Sequence, residues 1–351
     1  MDLIHPRTVA DVAEALRTAS GRRMRVLVVG GRRHLDKGNP AEVDAELWTT
    51  QLDQVVAYDP AEMLVVVQAG MRCGTLAQML AEHGQEWPAD APADATIGGV
   101  IASGSSSARR MRVGAIRDTV VEMELVTGDG GIVQSGARTV KNVTGYDLHR
   151  LMTGSLGTLG VITQVALKVR PVPERRVTIE ARGSVPLATR IARQVPLAAG
   201  VLATAETVEV RLEGWGREVD ELSAEVATVA PTATSPVDRT FPQDPWWDWP
   251  AGGTIVEASV PPSRLADVVD GSSTFGALAG VGLAWIAASD VDELTEIRTQ
   301  VAAAGGIAPA IRGAGGLGGP APPAEPVHRR LRAAFDPAGI LAPGRCWHEV
   351  L

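Results

Sequence analysis

Residues 95–104 read Ala95-Thr96-Ile97-Gly98-Gly99-Val100-Ile101-Ala102-Ser103-Gly104, glycines set among aliphatic and small hydroxyl side chains. Residues without a Cβ let backbone N–H groups close on a phosphate or a flat ring, where a side chain would obstruct. The Gly/Ser-rich run extends over 96–107 and reads as a loop around a ligand. Upstream, Arg25-Val26-Leu27-Val28-Val29 breaks into Gly30-Gly31-Arg32-Arg33, which predicts a buried strand entering a tight turn. Downstream come Val113-Gly114-Ala115-Ile116-Arg117-Asp118, then Lys141-Asn142-Val143-Thr144-Gly145-Tyr146-Asp147-Leu148-His149-Arg150-Leu151, then Gly154-Ser155-Leu156-Gly157-Thr158-Leu159-Gly160-Val161-Ile162-Thr163. Each segment alone is a weak signal; their order and spacing carry the information.

Around them, periodicity predicts a helix over 8–19, strands over 55–58 and 63–69, and a helix over 75–83 stopped by Gly84. Gly128-Asp129-Gly130 joins strands 119–127 and 131–134 as a hairpin, followed by a helix over 146–152 and a strand over 160–169. The second half alternates β-like stretches (177–182, 200–212, 254–260, 280–287, 306–311) with helical ones (184–194, 217–229, 262–270, 290–304), which suits one antiparallel sheet. The fold class is α+β.

A chain of 351 residues suits two domains, each able to bury a core of its own. With 33 Lys+Arg against 41 Asp+Glu, the net charge of −8 argues against a general nucleic-acid surface. The acidic excess lies mostly beyond residue 170, so a border is expected near 172, with 1–172 as one domain, 173–324 as a second and 325–351 as a returning segment. Met1-Asp2-Leu3-Ile4-His5-Pro6-Arg7 has no signal-peptide character, and the apolar stretch 275–288 falls short of the roughly 18 residues a membrane span needs. Two cysteines, Cys73 and Cys346, fit a reduced compartment and carry no metal-ligand spacing. A cytoplasmic chain with no transmembrane segment is expected.

One motif misleads. Gly313-Ala314-Gly315-Gly316-Leu317-Gly318 matches G-x-G-x-x-G, but Gly319-Pro320-Ala321-Pro322-Pro323 follows where a helix must start, so the stretch reads as a linker.

The three glycine-bearing segments, in this order, closely resemble the FAD-binding domain of the vanillyl-alcohol oxidase superfamily, the PCMH-type flavin domain. The run 141–151 leading into 157–163, and Gly104-Ser105-Ser106-Ser107-Ala108-Arg109-Arg110 before Gly114, are similar to the glycolate oxidase branch and its FAD-binding E subunit. Phe335-Asp336-Pro337-Ala338-Gly339-Ile340-Leu341-Ala342-Pro343-Gly344 looks like the segment by which that family's chain returns to the flavin domain. The resemblance implies a two-subdomain flavin domain plus an α+β cap with an antiparallel sheet. It implies that Gly30, Gly31, Thr96, Gly98, Gly99, Ser103 and Gly104 line the pyrophosphate and the near side of the isoalloxazine. Gly114, Ile116, Gly157, Gly160, Val161 and Ile162 would hold ribose, ring edge and adenine. Arg32, Arg33 and Arg110 supply cations suited to a diphosphate.

The sequence departs from the family where Arg32-Arg33-His34 replace small residues. Two bulky cations there either crowd the pyrophosphate or replace backbone donors with charged ones. His34 stands two positions beyond the usual linkage histidine, so non-covalent FAD is expected.

Oxidising a 2-hydroxy acid by hydride transfer needs a proton acceptor and a cation for the carboxylate. The stretch 171–324 contains no His, Tyr, Lys or Cys, and the six histidines show no metal-ligand pairing, so no catalytic residue and no metal site is assigned. Arg211, Arg239, Arg264, Arg298 and Arg312 remain as carboxylate clamps, and Trp246, Trp247 and Trp249 form a candidate docking patch. The expectation is an FAD-binding subunit of a glycolate oxidase-type complex acting on a small 2-hydroxy acid. Its partners would be a catalytic flavoprotein subunit and an iron–sulfur subunit, with any membrane contact made through them. Two other readings stay open: an autonomous FAD-dependent oxidoreductase, and a structural subunit that has lost its flavin.

Overall fold

A computed structural model of the chain describes residues 1–105, 107–138, 146–238, 253–272, 274–313, 316 and 325–345. The 141–145 part of the distinctive run, the Trp246/Trp247/Trp249 patch, Arg239, Cys346 and four of the six residues of the glycine decoy lie outside the described residues. The chain divides into two units: Met1–Ser105 with Ala115–Val172 and Pro320–Leu351, and Ser106–Gly114 with Pro173–Gly319.

The first unit opens with β1 (Asp2–Ile4), α1 (Val9–Arg22), β2 (Val26–Val29) and β3 (Ala45–Trp48). Thr8 caps α1, its hydroxyl accepting from the Asp11 N–H while the Asp11 carboxylate accepts from the Thr8 N–H. Val12, Leu16 and Ala19 recur at helical spacing and are buried, as the periodicity predicts. The three strands form a parallel sheet in the order β1-β3-β2, and the outer edge of β2 takes a further segment: Val26 N–H donates to Ile340 O at 2.7 Å and Ala342 N–H to Val26 O at 2.8 Å.

The rest of the unit contains β4 (Val55–Asp59), β5 (Leu64–Gln68), α2 (Cys73–Ala81), β6 (Gln85–Glu86) and α3 (Ile97–Ser103). The chain passes through α4 (Arg110–Val113) in the second unit and returns with β7 (Val120–Val126), β8 (Ile132–Gly136), α5 (Leu148–Met152), β9 (Val161–Lys168) and β10 (Arg170–Pro171). An antiparallel five-stranded sheet runs β4-β5-β9-β7-β8, with β7 and β8 forming the expected hairpin. Its core gathers Val65, Val67, Met123, Leu125, Val165 and Leu167 around Ile97 and Ile101 of α3. Besides the short antiparallel pair β6–β10, the first unit thus has one parallel and one antiparallel sheet.

The second unit is built from β11 (Arg175–Arg182), α6 (Val185–Gln194), β12 (Gly200–Ala203), β13 (Thr207–Gly214), α7 (Gly216–Val229), β14 (Val237–Asp238), β15 (Thr254–Ser259), α8 (Leu265–Val269), β16 (Phe275–Leu278), β17 (Leu283–Ala288), α9 (Val291–Ala303) and β18 (Ala310–Arg312). Its eight strands form one antiparallel sheet, with the helices burying apolar faces against one side. The helix α10 (Glu325–Phe335) belongs to the first unit.

Four expectations are corrected. The run 96–107 is not all loop, because Thr96 caps a helix there. The stretch 200–212 is two strands, joined where Thr204 N–H donates to Thr207 O at 2.8 Å. The apolar run 275–288 is a hairpin, turned by Gly280 and Gly282 at φ 84° and 74°. Residues 106–114 sit within the second unit, which breaks the linear border expected near 172.

Candidate functional site

An open cavity in the first unit lies at the C-terminal end of β2, walled by the loop after β2, by α3 and its approach, and by 156–162. Of the residues expected to bind cofactor, Gly30, Gly31, Arg32, Arg33, Thr96, Gly98, Gly99, Ser103, Gly157, Gly160 and Ile162 line it. Residues far apart in sequence meet because β2 and β9 deliver two of the glycine segments and α3 the third.

The walls approach so closely that side chains are excluded. A Cβ on Gly30 would run into the Thr96 hydroxyl, one on Gly31 would stand 2.7 Å from Asp94 O, and one on Gly98 would stand 2.8 Å from the Ala69 methyl. The first N–H groups of α3 are already spent inside the protein. Ile97 donates to Met71 O (2.9 Å), Gly98 to Ala69 O (2.7 Å) and Gly99 to the Thr96 hydroxyl (3.3 Å). The Gly31, Arg32 and Arg33 N–H groups, by contrast, donate to no described residue. With Arg32 at φ 59°, three consecutive residues with unspent donors line the cavity, and successive donors of this kind are what an anion-receiving nest is built from.

The two arginines that replace small residues are both held by acids. Arg32 Nη1 meets Glu46 Oε2 at 2.9 Å, and its guanidinium lies 5.1 Å above the Trp48 ring. Arg33 grips Asp94 with the Nε/Nη2 edge of its guanidinium, Nε to Oδ1 at 2.8 Å and Nη2 to Oδ2 at 2.7 Å, and this contact holds the Asp94 carboxyl below the usual carboxylate range. The side chains are therefore drawn to the rim, and the nest between them is not filled.

His34 also lines the cavity. Ser103 Oγ donates to Val100 O at 3.0 Å, so the 2.9 Å contact between the two serine hydroxyls has Ser105 as donor. His34 Nε2, 2.8 Å from Ser105 Oγ, then supplies the proton to that bond. Beside the cavity-lining Leu156 and Gly157, the buried Ser155 hydroxyl has no described hydrogen-bond partner.

Five expected positions stand elsewhere. Val161 faces the opposite way from Ile162 along β9 and is buried in the core against α1. Ile116 packs into the sheet core, and Gly104 closes α3 as its left-handed cap at φ 62°. Arg110 and Gly114 belong to the second unit, where neighbouring Arg109 forms a buried ion pair with Glu213 at 3.1 Å. Tyr146 is exposed, and His149 is buried against Ser135, where burial lowers its pKa; neither lines the cavity. The composition of 25–33 and 96–104 pointed to the cavity; nothing in residue spacing pointed to Thr49 or to Arg345, which also line it.

A cavity closed to side chains, with consecutive unspent N–H donors and two flanking guanidiniums, fits the diphosphate of the FAD that the sequence resemblance implies. Residues 3–136 match the FAD binding domain family. The chain is 31% identical to glycolate oxidase subunit GlcE of Escherichia coli over 307 residues, covering 84% of this chain and 85% of that one. Bovine mitochondrial D-2-hydroxyglutarate dehydrogenase is 36% identical over 174 residues, and glycolate oxidase subunit GlcD of Bacillus subtilis 31% identical over 180. These two matches take in about half of this chain and only 32% and 38% of the relatives. Among solved structures, an alkyldihydroxyacetonephosphate synthase superposes with a TM-score of 0.71 over 97% of this chain and 76% of its own, at 17% identity, a likeness of fold.

Proposed function

The chain belongs to the PCMH-type FAD-binding flavoproteins, in the family of glycolate oxidase subunit GlcE, and from that premise we propose that it is the FAD-binding subunit of a complex that oxidises a small 2-hydroxy acid. The carrying observation is the extent of the two kinds of likeness. The match to GlcE takes in nearly the whole chain, whereas the matches to GlcD and to the dehydrogenase stop at about half of it. We assign 1–105, 115–172 and 325–351 to the flavin domain, and 173–324 together with 106–114 to a cap.

Bound flavin would supply a redox centre able to take up electrons and pass them on. The chain's own residues divide the remaining work unevenly. Gly31, Arg32 and Arg33 would present backbone donors to the diphosphate, and the tight walls at Gly30 and Gly98 keep side chains out of the same space. Ser103, Ser105 and His34 hold one another in a fixed order of donors at the cavity wall. The cap has only carboxylates to receive a hydroxyl proton, and an unshifted carboxylate is a weak base near neutral pH. We therefore assign substrate oxidation to a partner flavoprotein subunit, and place this chain's flavin in electron relay toward an iron–sulfur subunit.

The test is spectroscopic and then catalytic. The purified chain should show oxidised-flavin absorption and release FAD on acid precipitation. It should reduce an artificial acceptor with glycolate or lactate only when the partner flavoprotein is added. Turnover by the isolated chain would sink the relay assignment.

A further inference from the structure

One segment pins the diphosphate nest from both ends, and it comes from the far end of the sequence. Residues 340–342 extend the sheet along β2, the strand that runs into Gly30, through the Val26–Ile340 and Ala342–Val26 hydrogen bonds. Three residues later, Arg345 reaches the other end of the same loop. Its Nη2 lies 2.7 Å from Lys37 O, 2.9 Å from Leu35 O and 3.4 Å from His34 O, and Asn39 N–H donates to Arg345 O at 3.1 Å. Gly38, at φ 97°, packs so that a Cβ there would sit 3.2 Å from Arg345 Cγ and from its carbonyl oxygen. Arg345 is 5% exposed and lines the cavity.

We propose that Arg345 is a positioning residue for FAD: by gathering the carbonyls of 34, 35 and 37, it holds the Gly31, Arg32 and Arg33 donors ready for the diphosphate and so sets cofactor affinity. This rests on the FAD reading of the cavity. A guanidinium stays protonated at every relevant pH and holds its donors in a rigid fork, of which one nitrogen, Nη2, meets all three carbonyls. Carbonyl ends gathered on one buried cation tie the turn that follows the donors to the body of the unit. Without the cation, the loop would have to be ordered at the moment of binding, which weakens affinity. The β2 hydrogen bonds fix only the entry to the nest; the exit depends on Arg345.

The full chain, stripped of flavin, is titrated with FAD and followed by flavin fluorescence and visible circular dichroism, and the melting of the apo form is recorded alongside. Arg345→Met should weaken FAD binding by about tenfold or more, the scale of a lost charge-assisted bond. Arg345→Lys, which keeps the charge but not the fork, should fall between it and wild type. Arg345→Ala should regain part of its affinity when ethylguanidinium is added, a rescue that a merely structural defect would not show. Unchanged affinity per folded molecule in the Met and Lys variants, with only the apo melting lowered, overturns the proposal. If Arg345→Met does not fold, Arg345→Lys decides alone. A wild-type chain that takes up no FAD overturns the cofactor reading as well, and is told apart because the control itself fails.

Discussion

Glu46 and Arg32 meet at 2.9 Å on the wall of the cavity, and the same Glu46 oxygen accepts the Trp48 indole N–H at 2.9 Å. The carboxylate is buried, with 5% of its side chain exposed, while Arg32 is half exposed. Their pairing explains how a bulky cation can follow Gly31 without filling the nest: the acid on β3 and the face of Trp48 draw it aside. Glu46→Gln removes the charge while keeping one acceptor, and should lower stability by about 1–3 kcal/mol, the range for a buried acceptor with charged and indole partners. Urea unfolding of the apo chain checks this. A change within error would mean that Arg32 holds its place through Trp48 alone.

Close approach at Gly30 leads to a second expectation. Because a Cβ there collides with the Thr96 hydroxyl, Gly30→Ala must push β2's exit away from the α3 cap. Overpacking of this kind costs about 1–3 kcal/mol. Flavin content should fall further than stability does, because the displaced strand carries the nest. Equal flavin content in Gly30→Ala, scored on the folded fraction, would show that the wall at Thr96 does not shape the site.

Much of this was legible before the structure, and the failures share a cause. The strands that enter and leave the glycine segments were read correctly because apolar periodicity is local, as at 26–29 and 161–168. The helix α3 is hidden in the sequence, since Gly98 and Gly99 each lower helix propensity by about 1 kcal/mol relative to alanine. Tertiary fit overrides that penalty: only glycine at 98 lets the helix approach Ala69. Charge density offers Arg110 to the cofactor, while its segment belongs to the second unit, where Arg109 meets Glu213, 104 residues away. Arg345 was missed for the same reason, since its partners lie more than 300 residues away in sequence.

Acid should loosen the parallel sheet in a defined window. Arg25, through both its side chain and its N–H, lowers the Asp44 pKa from 3.8 to about 2, and this contact ties the loop before β3 to the start of β2. A carboxylate whose folded pKa is depressed contributes stability that is complete above its unfolded value and lost as pH falls through the folded one. The contribution of Asp44 should therefore be intact above about pH 4 and gone near pH 2, a window set by those two values. Asp44→Asn should flatten that part of the acid limb without altering the neutral one. Identical acid limbs, followed by far-ultraviolet circular dichroism, would remove Arg25–Asp44 from the account.

The strap formed by Arg33 and Asp94 gives the sharpest test of how the site handles charge. It joins the loop after β2 to the approach to α3, so it crosses between two walls of the cavity. Both side chains are about half exposed, at 44% and 56%, which makes the pair a weak contributor to stability, within about 1 kcal/mol. Its larger effect is on the ligand. While Asp94 holds the Nε/Nη2 edge of the guanidinium, Arg33 offers the diphosphate less charge than the sequence suggests. Asp94→Asn weakens that hold, so FAD should bind several-fold more tightly at low ionic strength, and the gain should shrink as salt screens the new contact. Melting of the apo chain should hardly move. If FAD binding weakens instead, at any salt, Asp94 serves to aim Arg33 at the phosphate rather than to restrain it, and the strap is part of the binding surface.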